Sequence, residues 1–68
     1  MKQYILNGAC QEATQWDGSD YKIQHGEIIT QVTNRKVRDN LFRVESDKRI
    51  VQVSQSILER YFDVYGGD

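Results

Sequence analysis

The chain has 68 residues, 38% of them hydrophobic and 28% charged, with no proline and a formal net charge of −1. A chain this short buries only about 60% of the surface its unfolded form exposes, so it has material for one core and one domain, residues 1–68. Cys10 and His25 are the single cysteine and the single histidine, which excludes an intrachain disulfide and leaves too few ligands for a Cys/His zinc site.

The first predicted strand is Gln3 to Leu6, where Tyr4-Ile5-Leu6 is apolar and β-favouring, and Asn7-Gly8 ends it with residues that tolerate positive φ. From Ala9 to Asp20 the residues are mostly small or polar. Trp16 is the one large apolar side chain there, and Asp17-Gly18-Ser19-Asp20 is a turn signal. This stretch reads as an extended loop or irregular hairpin. Three strand-like runs follow: Tyr21 to Val32 interrupted at Gly26, Leu41 to Glu45, and Arg49 to Ser54. Ile28, Thr30 and Val32 share one parity, Phe42 and Val44 another, and Val51 and Val53 a third, so each run has one face turned to a core. Asn34 to Asn40 is polar and charged, as a loop would be, and Ser46-Asp47-Lys48 is short enough to close a tight hairpin. Near the C-terminus the period lengthens: Ile57, Leu58, Tyr61 and Phe62 form one helical stripe, and Ser56 with Glu59 has the spacing of a capping box. Asp63-Val64-Tyr65 predicts a last short strand before a fraying Gly66-Gly67-Asp68.

Strand, long loop, strand, loop, strand, tight turn, strand, helical turn and closing strand is the element order of the Src-homology-3-like small barrel, and the residues resemble it too. Tyr21-Lys22-Ile23-Gln24-His25-Gly26-Glu27-Ile28-Ile29 is similar to the family's glycine-acid entry into its second strand. Asn40 to Val44 resembles the third strand, Arg49 to Val53 the fourth, and Ser54 to Val64 the helical turn and closing strand. The resemblance covers roughly Gln3 to Tyr65. It implies a mainly β fold, a small five-stranded SH3-like barrel with one short C-terminal helix or helical turn. The proline-rich-peptide groove of that family is not matched. Leu41 or Phe42 stands where its tryptophan opens the third strand, Ser54 where its proline precedes the helical turn, and Tyr4-Ile5-Leu6-Asn7-Gly8 where its Ala-Leu-Tyr-Asp-Tyr-type segment begins. The glycine-acid entry and the Leu58-x-x-Tyr61-Phe62 ending also resemble small uncharacterised proteins of bacteriophages and mobile elements. The scaffold alone implies no single function.

Few residues suggest chemistry. Catalysis by Cys10 and His25 would need an orienting group and an oxyanion site that the sequence does not signal, so no catalytic residue, metal site or cofactor is expected. Asp17-Gly18-Ser19-Asp20 lacks the alternating carboxylates and distant glutamate of a calcium loop. Two features suggest binding. Trp16 in a polar loop is either a contact anchor or a cover for one end of the core. With Asp17, Asp20 and Tyr21 it makes a candidate protein-binding site. Arg35, Lys36, Arg38, Arg43, Lys48 and Arg49 make the middle of the chain locally basic, against Asp39, Glu45 and Asp47, and give a candidate nucleic-acid surface.

The expectation is therefore a non-catalytic protein-interaction module, an adaptor or inhibitor docking on a larger protein, with a nucleic-acid-binding barrel as the alternative. The single cysteine and the absence of a basic-then-apolar N-terminal stretch point to the cytoplasm, and no apolar run approaches the roughly 18 residues of a membrane span. Edge strands invite pairing, so monomer and homodimer are both open.

Overall fold

The computed structural model describes residues 2–32 and 40–66. Among these residues seven strands and one helix follow in chain order: β1 (Gln3–Leu6), β2 (Gln11–Gln15), β3 (Asp20–Ile23), β4 (Ile28–Gln31), β5 (Leu41–Val44), β6 (Ile50–Gln52), α1 (Gln55–Tyr61) and β7 (Phe62–Gly66). The strands form one sheet in the order β3-β2-β6-β5-β4-β1-β7, and every adjacent pair is antiparallel. The mainly β character and the short C-terminal helix follow the sequence reading. The five-stranded closed barrel does not. Among the described strands β3 and β7 end the sheet without pairing to one another, and the polar segment read as an extended loop or irregular hairpin supplies β2, an additional strand that pairs with β3.

β2 is a strand against its composition. Gln-Glu-Ala-Thr-Gln has little β propensity, and only Ala13 is buried. Tertiary pairing decides the outcome: β2 bonds to β3 along its length and to β6 through Thr14 and Gln15. Gly18 closes the hairpin at φ +93, a conformation that glycine adopts without a Cβ clash. Gly26 takes the same left-handed region at φ +87 in the turn that carries the chain from β3 to the non-adjacent β4, where its N–H donates to the Leu6 carbonyl at 2.9 Å and so ties that turn to the end of β1.

The core joins residues from every strand and from α1: Leu6, Ala13, Ile23, Ile29, Phe42, Val44, Val51, Val53, Leu58 and Phe62. Residues at opposite ends of the strand order meet in one cluster because the sheet curls around it. Phe42, 1% exposed, meets the Tyr4 ring edge to face at 5.8 Å. In β4 the inward residue is Ile29, and Thr30 is buried on the opposite side. Helix α1 begins two residues earlier than the predicted capping box implies. Ser54 is the N-cap, accepting from the Ile57 N–H at 3.3 Å, and Glu59 accepts from the Gln55 side chain at 2.9 Å. Among the described residues no helix is long and apolar enough to cross a membrane.

Candidate functional site

Side chains of directly paired residues in a sheet point to the same face. The Trp16 N–H donates to the Ile50 carbonyl at 3.0 Å, and Ile50 pairs with Arg43, which pairs with Thr30. Trp16, Ile50, Arg43 and Thr30 therefore make one row across the outer face, opposite to Phe42 and Val51. The next row runs from Val32 to Leu41, whose carbonyl accepts the Val32 N–H at 2.9 Å, and on to Gln52. Where these rows meet, Trp16, Val32, Leu41 and Ile50 line a shallow apolar groove of about 210 Å³. Trp16 is 70% exposed at its lip, whereas Leu41 is only 4% exposed at its floor. Trp16 thus belongs to the surface and not to the core.

The other three residues predicted to bind with Trp16 divide between two places. Asp17 stays in the hairpin turn, where its Oδ1 accepts the Ser19 hydroxyl at 2.6 Å and the Ser19 N–H at 3.0 Å, and these bonds hold its carboxyl below the usual range. Asp20 is exposed at the start of β3. Tyr21 lies on the face opposite to Trp16 and packs against the core. Its hydroxyl donates to Asp47 at 2.6 Å and lies 3.4 Å from Glu27, so burial first, and then the Asp47 bond, push its proton affinity well up. Tyr21 therefore stays neutral and buttresses the hairpin instead of joining a contact surface with Trp16.

Of the basic residues, Arg35, Lys36 and Arg38 lie outside the described residues. Arg43 and Lys48 are both drawn to Glu45, at 3.1 and 3.3 Å, and Arg49 donates to the Gln15 side chain at 3.0 Å. Glu45 also accepts from the buried Thr30 hydroxyl. That bond, reinforced by Lys48 and Arg43 and opposed by desolvation, lowers its pKa from 4.5 to about 2. A carboxylate this firmly ionised offsets part of the positive charge around the β5–β6 turn.

Cys10 and His25 bond elsewhere: the thiol reaches Gln24 at 3.3 Å and the imidazole Nδ1 lies 2.9 Å from the Gly8 carbonyl. A second cleft of about 190 Å³ lies between β2, the end of β6 and α1, with Ala13, Ile23, Val53 and Ile57 among its lining residues. The sequence reading identified Trp16 but missed the groove beside it. Its other three residues are widely separated in the chain, and only the β6–β5–β4 register brings them together. No protein-family model, no curated protein and no solved structure matches this chain.

Proposed function

We propose that this chain is a small non-catalytic protein-interaction module, an adaptor or inhibitor that docks on a larger protein through Trp16 and the groove of Val32, Leu41 and Ile50. The observation that carries the reading is the exposed indole at the lip of an apolar groove. Trp16 contributes little burial to the free chain, and tryptophan is among the residues whose burial dominates interface energetics. Asp17 and Asp20 flank it on the hairpin and suit a polar rim.

The scaffold reading is an elaborated SH3-like fold. What supports it is the order β1, a hairpin at the place of the long loop, β4, β5, a tight turn, β6, a helix and β7, which is similar to that family's element order. The Gly26-Glu27 entry and the Leu58-x-x-Tyr61-Phe62 ending support an origin in a bacteriophage or mobile element, and the single cysteine supports a cytoplasmic setting.

The test is an affinity capture from bacterial lysate with the tagged chain and with Trp16→Ala, each with and without nuclease and at low and high salt. The expected result is a discrete protein that survives nuclease and salt with the wild-type chain and is lost with Trp16→Ala, while both chains give the same far-ultraviolet circular dichroism. Equal capture by both chains would overturn the reading. Nucleic-acid binding through Arg35, Lys36, Arg38, Arg43, Lys48 and Arg49 is the second reading, favoured by the exposure of Arg43, Lys48 and Arg49 around the β5–β6 turn. It predicts recovery of nucleic acid that is lost at high salt and on joint replacement of Arg35, Lys36 and Arg38 by Glu.

A further inference from the structure

We infer that the outer edge of β7 is a self-association site, where a second copy of this chain pairs with β7 antiparallel about a two-fold axis at Val64. The ladder phase identifies the bonding groups. The Asn7 N–H donates to the Tyr61 carbonyl at 2.8 Å, and the register continues as Leu6 with Phe62, Ile5 with Asp63 and Tyr4 with Val64. Bonded and non-bonded pairs alternate in an antiparallel ladder, so the main-chain groups of Asp63 face β1 and those of Val64 face away from it. The Phe62 N–H, also turned from β1, is already taken by the Leu58 carbonyl of the helix end. Val64 therefore presents its N–H and C=O together at an edge that no other strand of the described residues covers.

The side chains agree with this assignment. Val64 is 71% exposed and Tyr65 56% exposed, and they are the two large apolar residues of the described chain, besides Trp16, left to solvent. The register with β1 steps over Tyr65, from Val64 opposite Tyr4 to Gly66 opposite Gln3, so Tyr65 stands outside the regular pairing and is left exposed. The other edge, β3, carries the exposed charges Asp20 and Lys22, of the kind that discourage edge pairing. β7 has neither lysine nor proline.

Its one charge, Asp63, accepts from the Asn7 amide at 2.6 Å. In a two-fold pair centred on Val64 it falls opposite Tyr65 of the other copy, so no like charges meet. A strand that is complementary to itself in this way fits an isologous contact between identical chains. The contact is brief, with Val64 bonding to its counterpart through both main-chain groups, so it belongs to the weak class of interfaces.

The experiment is light scattering of the wild-type chain, Val64→Lys and Trp16→Ala across about two decades of concentration, a range suited to a weak interface, with amide exchange read at Val64. Apparent mass should rise toward twofold for the wild type and for Trp16→Ala, with the Val64 amide gaining protection, and Val64→Lys should stay monomeric with an unchanged circular dichroism spectrum. A wild-type chain that remains monomeric throughout, including one whose β7 is filled only by a strand of another protein, overturns the inference, as does a Val64→Lys chain that dimerises equally. Loss of the dimer in Trp16→Ala would move self-association to the outer-face groove and overturn it as well. Because Trp16→Ala also tests the docking groove, failure of either reading is separable from failure of the other.

Discussion

Glu45→Gln is the substitution that best probes how the outer face is held. In the native chain Glu45 gathers the Thr30 hydroxyl, Arg43 and Lys48, and its pKa falls from 4.5 to about 2. A carboxyl lowered on folding stabilises the native state when ionised; the contribution is complete above 4.5 and is lost as pH falls through about 2. A shift of that size would correspond to about 3 kcal/mol in a group sealed from water. Here 27% of the Glu45 side chain is exposed, and Arg43 and Lys48 are more exposed still. Screening brings the expectation down to about 1–2 kcal/mol. Urea unfolding followed by far-ultraviolet circular dichroism should then show Glu45→Gln less stable than the wild type by that amount at neutral pH. The two curves should converge between pH 5 and 2. Thr30→Val removes the leading cause of the lowered value, so it should move the acid limb of the wild-type profile toward 4.5. Parallel profiles for wild type and Glu45→Gln across this window would refute the reasoning.

Phe42→Ala empties the centre of the core and the edge-to-face contact with Tyr4, a loss of about 3–5 kcal/mol, so the variant should be largely unfolded by circular dichroism at 25 °C. Lys48 occupies the left-handed region at φ 59. Lys48→Asn, at a residue type that tolerates this region, relieves about 0.5–1 kcal/mol of backbone strain but gives up the exposed bridge to Glu45, worth a similar amount, so its melting temperature should stay within about 3 °C of the wild type. Ser54→Ala should cost about 1 kcal/mol through loss of the helix cap, whereas Ser56→Ala should change stability by less than about 0.5 kcal/mol, which comparison of their chemical denaturation midpoints would establish.

Much of the fold was legible because period-two alternation marks β5 and β6 directly: Phe42, Val44 and Val51 are buried where the pattern places them inward. The reading weakened wherever pairing partners decided the outcome. β2 has one buried residue and a composition suited to a loop, and its strand character rests on neighbours on both sides. In β4 the expected inward set of Ile28, Thr30 and Val32 is reversed: Ile29 enters the core, and Thr30 is buried on the outer face by its bond to Glu45. The helix cap was displaced because Ser54 and Ser56 both satisfy the local preference, and it is the extended Ser54 whose hydroxyl meets the Ile57 N–H. For the site, Trp16 was visible as a large residue among polar ones. The placement of Tyr21 on the other face, and the capture of Arg43 and Lys48 by Glu45, depend on strand register and turn geometry that the linear spacing does not encode.

The position of β1 between β4 and β7 also constrains how the chain folds. The β2–β3 and β5–β6 pairs join neighbours in sequence and can close early, but β1 acquires its second partner only when Asp63 comes back to Asn7, 56 residues away. Contacts of such separation slow the search for the native topology. Gln3 faces Gly66 across that same pair, so a short linker could join the two ends. A circular permutant joined there and reopened between Asp17 and Gly18 would make the β1–β7 closure local and the β2–β3 pairing long-range, so amide protection during refolding should reach β7 before β3, the reverse of the parent chain.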